Sequence, residues 1–190
     1  MNAWAAYLLS LFDDLALEAD KDAWLEKTPM HLHYIDLIEA NTQDVFFLHV
    51  IREPVANVAA LVHVGRTHPD QFVQDTVEKA VKRYRREIQL SERNRGKPNH
   101  CFVHYESMLE KPEEVVRDLD RALGLPPHDA VREYTDTAAR IRRPEEDWKS
   151  KNTGRIHNVD KVAERLSDDE LAFVKHEVRK LRCELLKPYE

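Results

Sequence analysis

Three short stretches carry side chains that can do chemistry together: Glu26-Lys27-Thr28-Pro29, Arg52-Glu53-Pro54 and His104-Tyr105-Glu106-Ser107. They offer two cations, several carboxylates, a threonine hydroxyl and an aromatic ring. The planar fork of Arg52 suits bidentate recognition of a phosphate. Lys27 adds a point charge, and Tyr105 a face on which a ring can stack. Together they predict a site for a phosphorylated molecule with an aromatic part, such as a nucleotide. Each residue has a plainer alternative. Arg52 could pair at the surface with Glu53 or Glu106. Tyr105 could pack at the rim of a core, Lys27 and Glu26 could be solvated charges, and His31 and His33 could be packing residues.

The elements around these stretches are arranged to present them. Residues 45–51, VFFLHVI, form a nearly continuous apolar run, the pattern of a strand buried on both faces. Pro54 then suits the first turn of a helix over 54–64, whose N-terminus would add backbone N–H groups to an anion site beside Arg52. HCFVHY, 100–105, reads as a second strand. AWLEKTP, 23–29, reads as a third that runs into a loop at Pro29. All three chemical stretches therefore sit where strands end, the place where open parallel sheets hold ligands. Apolar spacing predicts helices over 3–19, 31–40, 73–93, from Lys111-Pro112 to Gly124, over 127–141, and a long last one over 160–186. Alternating strands and helices predict an α/β fold, a small parallel sheet flanked by helices with a helix-rich C-terminus. The whole chain, 1–190, reads as one domain, with the polar stretch 142–158 as its mobile loop.

Composition narrows the function. The chain has 190 residues, is 42% hydrophobic and 34% charged, and carries a net charge of −6. That balance argues against a broad nucleic-acid surface. The basic stretch 82–87, KRYRRE, is diluted by Glu78, Glu87 and Glu92 and reads as a solvated helix face. Two distant cysteines, Cys101 and Cys183, fit a reduced, cytoplasmic setting better than a disulfide framework. No apolar run is long enough to span a bilayer, and the acids Asp13 and Asp14 interrupt an N-terminus that otherwise suggests a signal peptide. His31-x-His33 and His100-x-x-x-His104 have some ligand spacing but no accompanying Cys or carboxylate pattern, so no metal is expected. The four glycines, Gly65, Gly96, Gly124 and Gly154, are too scattered for a glycine-rich phosphate loop.

Three blocks carry a family resemblance. WLEKTPMHLHYIDLIEA, FFLHVIREPVANVAAL and FVHYESMLEKPEEVVRDLDRALGLP resemble, in order and spacing, successive blocks of the PAPS-dependent sulfotransferases, nearest their broad bacterial and Golgi-like branch. The resemblance covers residues 23–126 and implies a core like that of P-loop NTPases. It also implies transfer of a sulfuryl group from 3′-phosphoadenosine 5′-phosphosulfate (PAPS) to a hydroxyl or amine, without a metal. In that frame Arg52 would bind the 3′-phosphate and Tyr105 would lie near the adenine. Lys27 would lie near the sulfuryl group or acceptor, and His31 or Glu26 would take the acceptor's proton. Arg142, Arg143, Lys151 and Arg155 would belong to a C-terminal segment that covers the nucleotide.

Two positions depart from the family's pattern. Ala60 stands where the family has a serine on the 3′-phosphate. The strand and Lys/Ser/Gly-containing loop that hold the 5′-phosphosulfate have no counterpart before Trp24. The implied core is thus N-terminally truncated, which predicts feeble activity and an open sheet edge. That edge would recruit a second copy or a partner chain. The alternative from another class is a non-catalytic remnant that serves as a nucleotide-binding or protein-interaction module. The acceptor itself, whether small molecule, glycan or peptide, leaves no mark in the sequence.

Overall fold

The computed structural model describes residues 3–126 and 161–189. The expected helix over 127–141 and the expected loop over 142–158, with Arg142, Arg143, Lys151 and Arg155, lie outside them.

Two parallel strands form the sheet, β1 (Phe47–Ile51) and β2 (His100–His104), in the register Phe47↔His100 through Ile51↔His104. The chain crosses between them through α3 (Pro54–Thr67) and α4 (Val77–Glu92). Before β1 come α1 (Ala3–Glu18), a 3-10 helix (Pro29–Tyr34) and α2 (Ile35–Glu39). After β2 come α5 (Tyr105–Glu110) and α6 (Pro112–Leu123). The C-terminal part holds α7 (Val162–Arg165), α8 (Asp168–Val178) and a 3-10 helix (Glu184–Tyr189). This is the α/β fold with a small parallel sheet that the sequence predicts.

Residue types explain the boundaries. Pro54 opens α3 because its missing N–H costs nothing in a first turn, and Thr76 caps α4 by accepting from the Lys79 N–H. Gly124, at φ 66°, closes α6, with the Leu125 N–H bonded back to the Asp120 carbonyl at 2.8 Å. The core lies between α3, α4 and the C-terminal helices. Val58, Ala59, Val62, Ala80, Val81, Tyr84, Ile88 and Val174 are all buried there, and Ile51 enters it from β1. Gly65 lets α3 approach the following segment, since a Cβ there would lie 2.5 Å from the Gln74 carbonyl carbon.

Two expectations fail. Residues 23–28 form no strand. Leu25 is 89% exposed, so this stretch has no apolar face to bury and no ladder to join. The single last helix over 160–186 is broken at Ser167. There Ser167 and Glu170 form a capping box that starts α8 afresh, and Leu166 turns extended. A third, smaller difference is that the helix expected over 31–40 begins as a 3-10 turn at Pro29 and becomes α-helical only at Ile35.

Candidate functional site

The strand register creates the site. Because Ile51 pairs with His104, the next residue of each strand lies beside the other, and these residues are Arg52 and Tyr105. The Arg52 guanidinium carbon sits 5.0 Å from the centre of the Tyr105 ring, within cation–π range. From α4, the Tyr84 hydroxyl donates to the Arg52 carbonyl at 3.2 Å. Burial, and then the charge of Glu53, push that phenol's pKa upward, so it remains a donor.

Arg52 does not form the surface pair that was its plainer alternative. Among the described residues it makes no ion pair, and its Nε is buried without a hydrogen-bond acceptor. The two nearby acids are engaged elsewhere. Glu53 turns back on α3 and accepts from the Val55 N–H at 3.0 Å and the Ala56 N–H at 2.5 Å. Glu106 accepts from the Glu53 N–H at 3.1 Å. This corrects one expectation: the N-terminal amides of α3 are taken by a carboxylate of the chain itself and are not open to a ligand.

A second arginine enters from the C-terminal part. α7 packs on α3, and the Arg165 carbonyl accepts from Arg66 Nη1 at 3.3 Å. The Arg165 guanidinium has its pKa lowered, first by burial and then by the charge of Arg52. His63, on α3, is likewise held below its ordinary value by burial, then by Arg165, Lys161 and His68. Arg165 thus brings like charge toward Arg52. Nothing local in the sequence marks Arg165, because only the tertiary packing of α7 on α3 brings its charge toward Arg52.

The proton-handling candidates form a separate pair. His31 Nδ1 lies 2.5 Å from Glu26 Oε2. Glu26 also accepts from the Thr28 hydroxyl at 2.5 Å and the Thr28 N–H at 3.0 Å, which folds the chain tightly just before Pro29. Lys27 is exposed. Among the described residues no hydrogen bond or ion pair joins Glu26 and His31 to Arg52 and Tyr105. α4 links the two groups indirectly, packing against the Pro29–Tyr34 turn and holding Arg52 through Tyr84. A cavity of about 410 Å³ lies elsewhere, between α4 and the C-terminal segment, where Glu177 pairs with both Arg85 and Lys180. Among the described residues no cluster of three or more His, Cys, Asp or Glu gathers as metal ligands, and no helix is long and apolar enough to cross a membrane.

Arg52, with its buried and unsatisfied Nε, and the Tyr105 ring beside it thus lie together at the carboxyl ends of the two parallel strands of an α/β fold. The sulfotransferase family's sequence profile matches residues 2–130, which include both strands, Arg52 and Tyr105. The chain belongs to the sulfotransferase family. No curated protein matches it.

Proposed function

We propose that the chain binds PAPS, or its product 3′-phosphoadenosine 5′-phosphate (PAP), at Arg52 and Tyr105, and transfers the sulfuryl group to a hydroxyl or amine. The carrying observation is the buried, unpartnered Nε of Arg52 beside the Tyr105 ring. An orphaned buried donor costs about 1–3 kcal/mol, which an anion would remove. On this reading Arg52 holds the 3′-phosphate and Arg165 stands in for the serine absent at Ala60. Arg142, Arg143 and Arg155 belong to the covering segment.

The transfer needs one bond made and one broken. The acceptor oxygen or nitrogen attacks sulfur, the bond from sulfur to the bridging phosphate oxygen breaks, and PAP leaves. The acceptor's proton goes to a base, worth on the order of 10²–10⁴-fold. Neutral His31, donating from Nδ1 to Glu26, has Nε2 free to take it, so Glu26 orients and His31 accepts. Lys27 is the cation for charge developing on the bridging oxygen. The chain's two free cysteines support a reducing, cytoplasmic setting.

The second reading is a nucleotide-binding module without catalysis. It is favoured by the separation of the Glu26–His31 pair from Arg52. Transfer of labelled sulfate from PAPS to phenol, sugar and amine acceptors tests between them. Transfer that is abolished in His31→Asn is expected. PAP binding with no transfer to any acceptor favours the module.

A further inference from the structure

Under the two strands runs a buried chain of four polar side chains. Ser91 Oγ on α4 lies 3.1 Å from His49 Nδ1 on β1. His49 Nε2 lies 2.9 Å from His100 Nδ1 on β2. His100 Nε2 lies 3.0 Å from Glu39 Oε1 at the end of α2. Ser91, His49 and His100 are all buried. The rings stack between Phe47 and Phe102, with centroid separations of 4.6 Å from Phe47 to His100 and from His49 to Phe102.

The geometry fixes where the protons are. Hydrogen bonds from Lys97 first, then Asn99 and His100, hold the Glu39 carboxyl at about 2, so it is an ionised acceptor. His100 must therefore donate from Nε2, and its neutral ring accepts at Nδ1. His49 in turn donates from Nε2 and accepts at Nδ1 from the Ser91 hydroxyl. Every bond runs one way, from Ser91 to Glu39, with both rings neutral. One added proton puts a cation among apolar rings and reverses part of the chain. A second sets two donors face to face.

We propose that Ser91, His49, His100 and Glu39 are pH-responsive positioning residues that hold β1 and β2 on α4, and so hold Arg52 against Tyr105, only while the His49 ring is neutral. The ligand readout rests on the nucleotide reading above; the structural readout does not. The charged groups around the chain are few. Glu39 and Lys97 touch it at the α2 end. On α4, Glu87 is tied to Arg83, and Glu92 to Arg95 and Cys183. His104 lies further along β2. Burial first, and then His100, bring His49 from its ordinary 6.5 to about 4. The unfolded or opened chain thus takes the proton first. The hold is full above pH 6.5 and is lost as pH falls toward 4, and below 4.5 the protonation of Glu39 in the opened chain adds to the loss.

The test compares the native chain with His49→Phe/His100→Phe, whose rings keep the stacking without titrating. PAP is titrated into each at about pH 7.5 and about pH 5. The ligand's own protonation is common to both proteins. The native chain should lose at least about tenfold more affinity than the variant. In the native protein, nitrogen-detected NMR should find both rings as Nε2–H tautomers at neutral pH. Protection of the His49, Ile51 and Val103 amides, corrected for the intrinsic exchange rate, should fall at about pH 5. If PAP does not bind the native chain, the nucleotide reading fails, and protection that falls on acidification still supports the device. Parallel loss of affinity in both proteins, a different tautomer, or protection that ignores pH overturns it, and the NMR and exchange arms decide even if the variant does not fold.

Discussion

Arg52 is held where its charge is only partly answered. Tyr105 covers one face, the local acids are occupied, and Arg165 adds like charge. An anion bound at Arg52 would also offset the like charge of Arg165. Arg165→Ala should therefore weaken PAP about tenfold to a hundredfold, the 1.5–3 kcal/mol typical of a charged hydrogen bond, and leave ADP nearly unchanged. Paired calorimetric titrations check this, and equal losses for PAP and ADP would contradict it. Arg52 and Tyr105 were legible in the sequence because each directly follows an apolar strand. Arg165 was not, since nothing local marks a helix of four residues as facing α3. The buried histidine chain was equally hidden. Its bonds link residues 42, 51 and 61 positions apart, and only the fold brings them together.

At the scale of elements, apolar spacing located β1, β2, α3, α4 and α6, because each of them buries one face or edge. It failed over 23–28, where Trp24 and Leu25 have β-like composition but no sheet to enter. It also failed at the last helix. The Ser167-x-x-Glu170 signal was present there, but a continuous apolar stripe on both sides concealed it. The junction of α3 with the segment before α4 depends on Gly65. Gly65→Ala forces a methyl group against the Gln74 backbone and should cost about 1–3 kcal/mol, measured as a fall in urea unfolding midpoint with the m-value unchanged. An unchanged midpoint would mean that this approach is looser than the geometry implies.

For the whole molecule, the sheet is small and open. Among the described residues β1 carries β2 on one edge and no other strand. The Phe47 N–H bonds to the Asn99 carbonyl at 2.8 Å, so by alternation the Leu48 and Val50 amides face the outer edge. Their side chains are also exposed, at 44% and 51%, as is the apolar face of α1 at Trp4, Tyr7 and Leu15. An edge of this kind invites pairing. The expected outcome is a second copy docked on β1: light scattering gives a mass above the 22.3 kDa of one chain, and Val50→Lys returns it to that value. A native chain that is monomeric at high concentration would contradict this. The proposed nucleotide site at Arg52 and Tyr105 makes a direct prediction for PAP. Calorimetric titration of PAP into the native chain, with ADP and Arg52→Ala as controls, tests it most directly. PAP should bind, ADP should bind at least about tenfold more weakly, and Arg52→Ala should remove the difference. No PAP binding at millimolar ligand, or binding that ignores both the 3′-phosphate and Arg52, would contradict it.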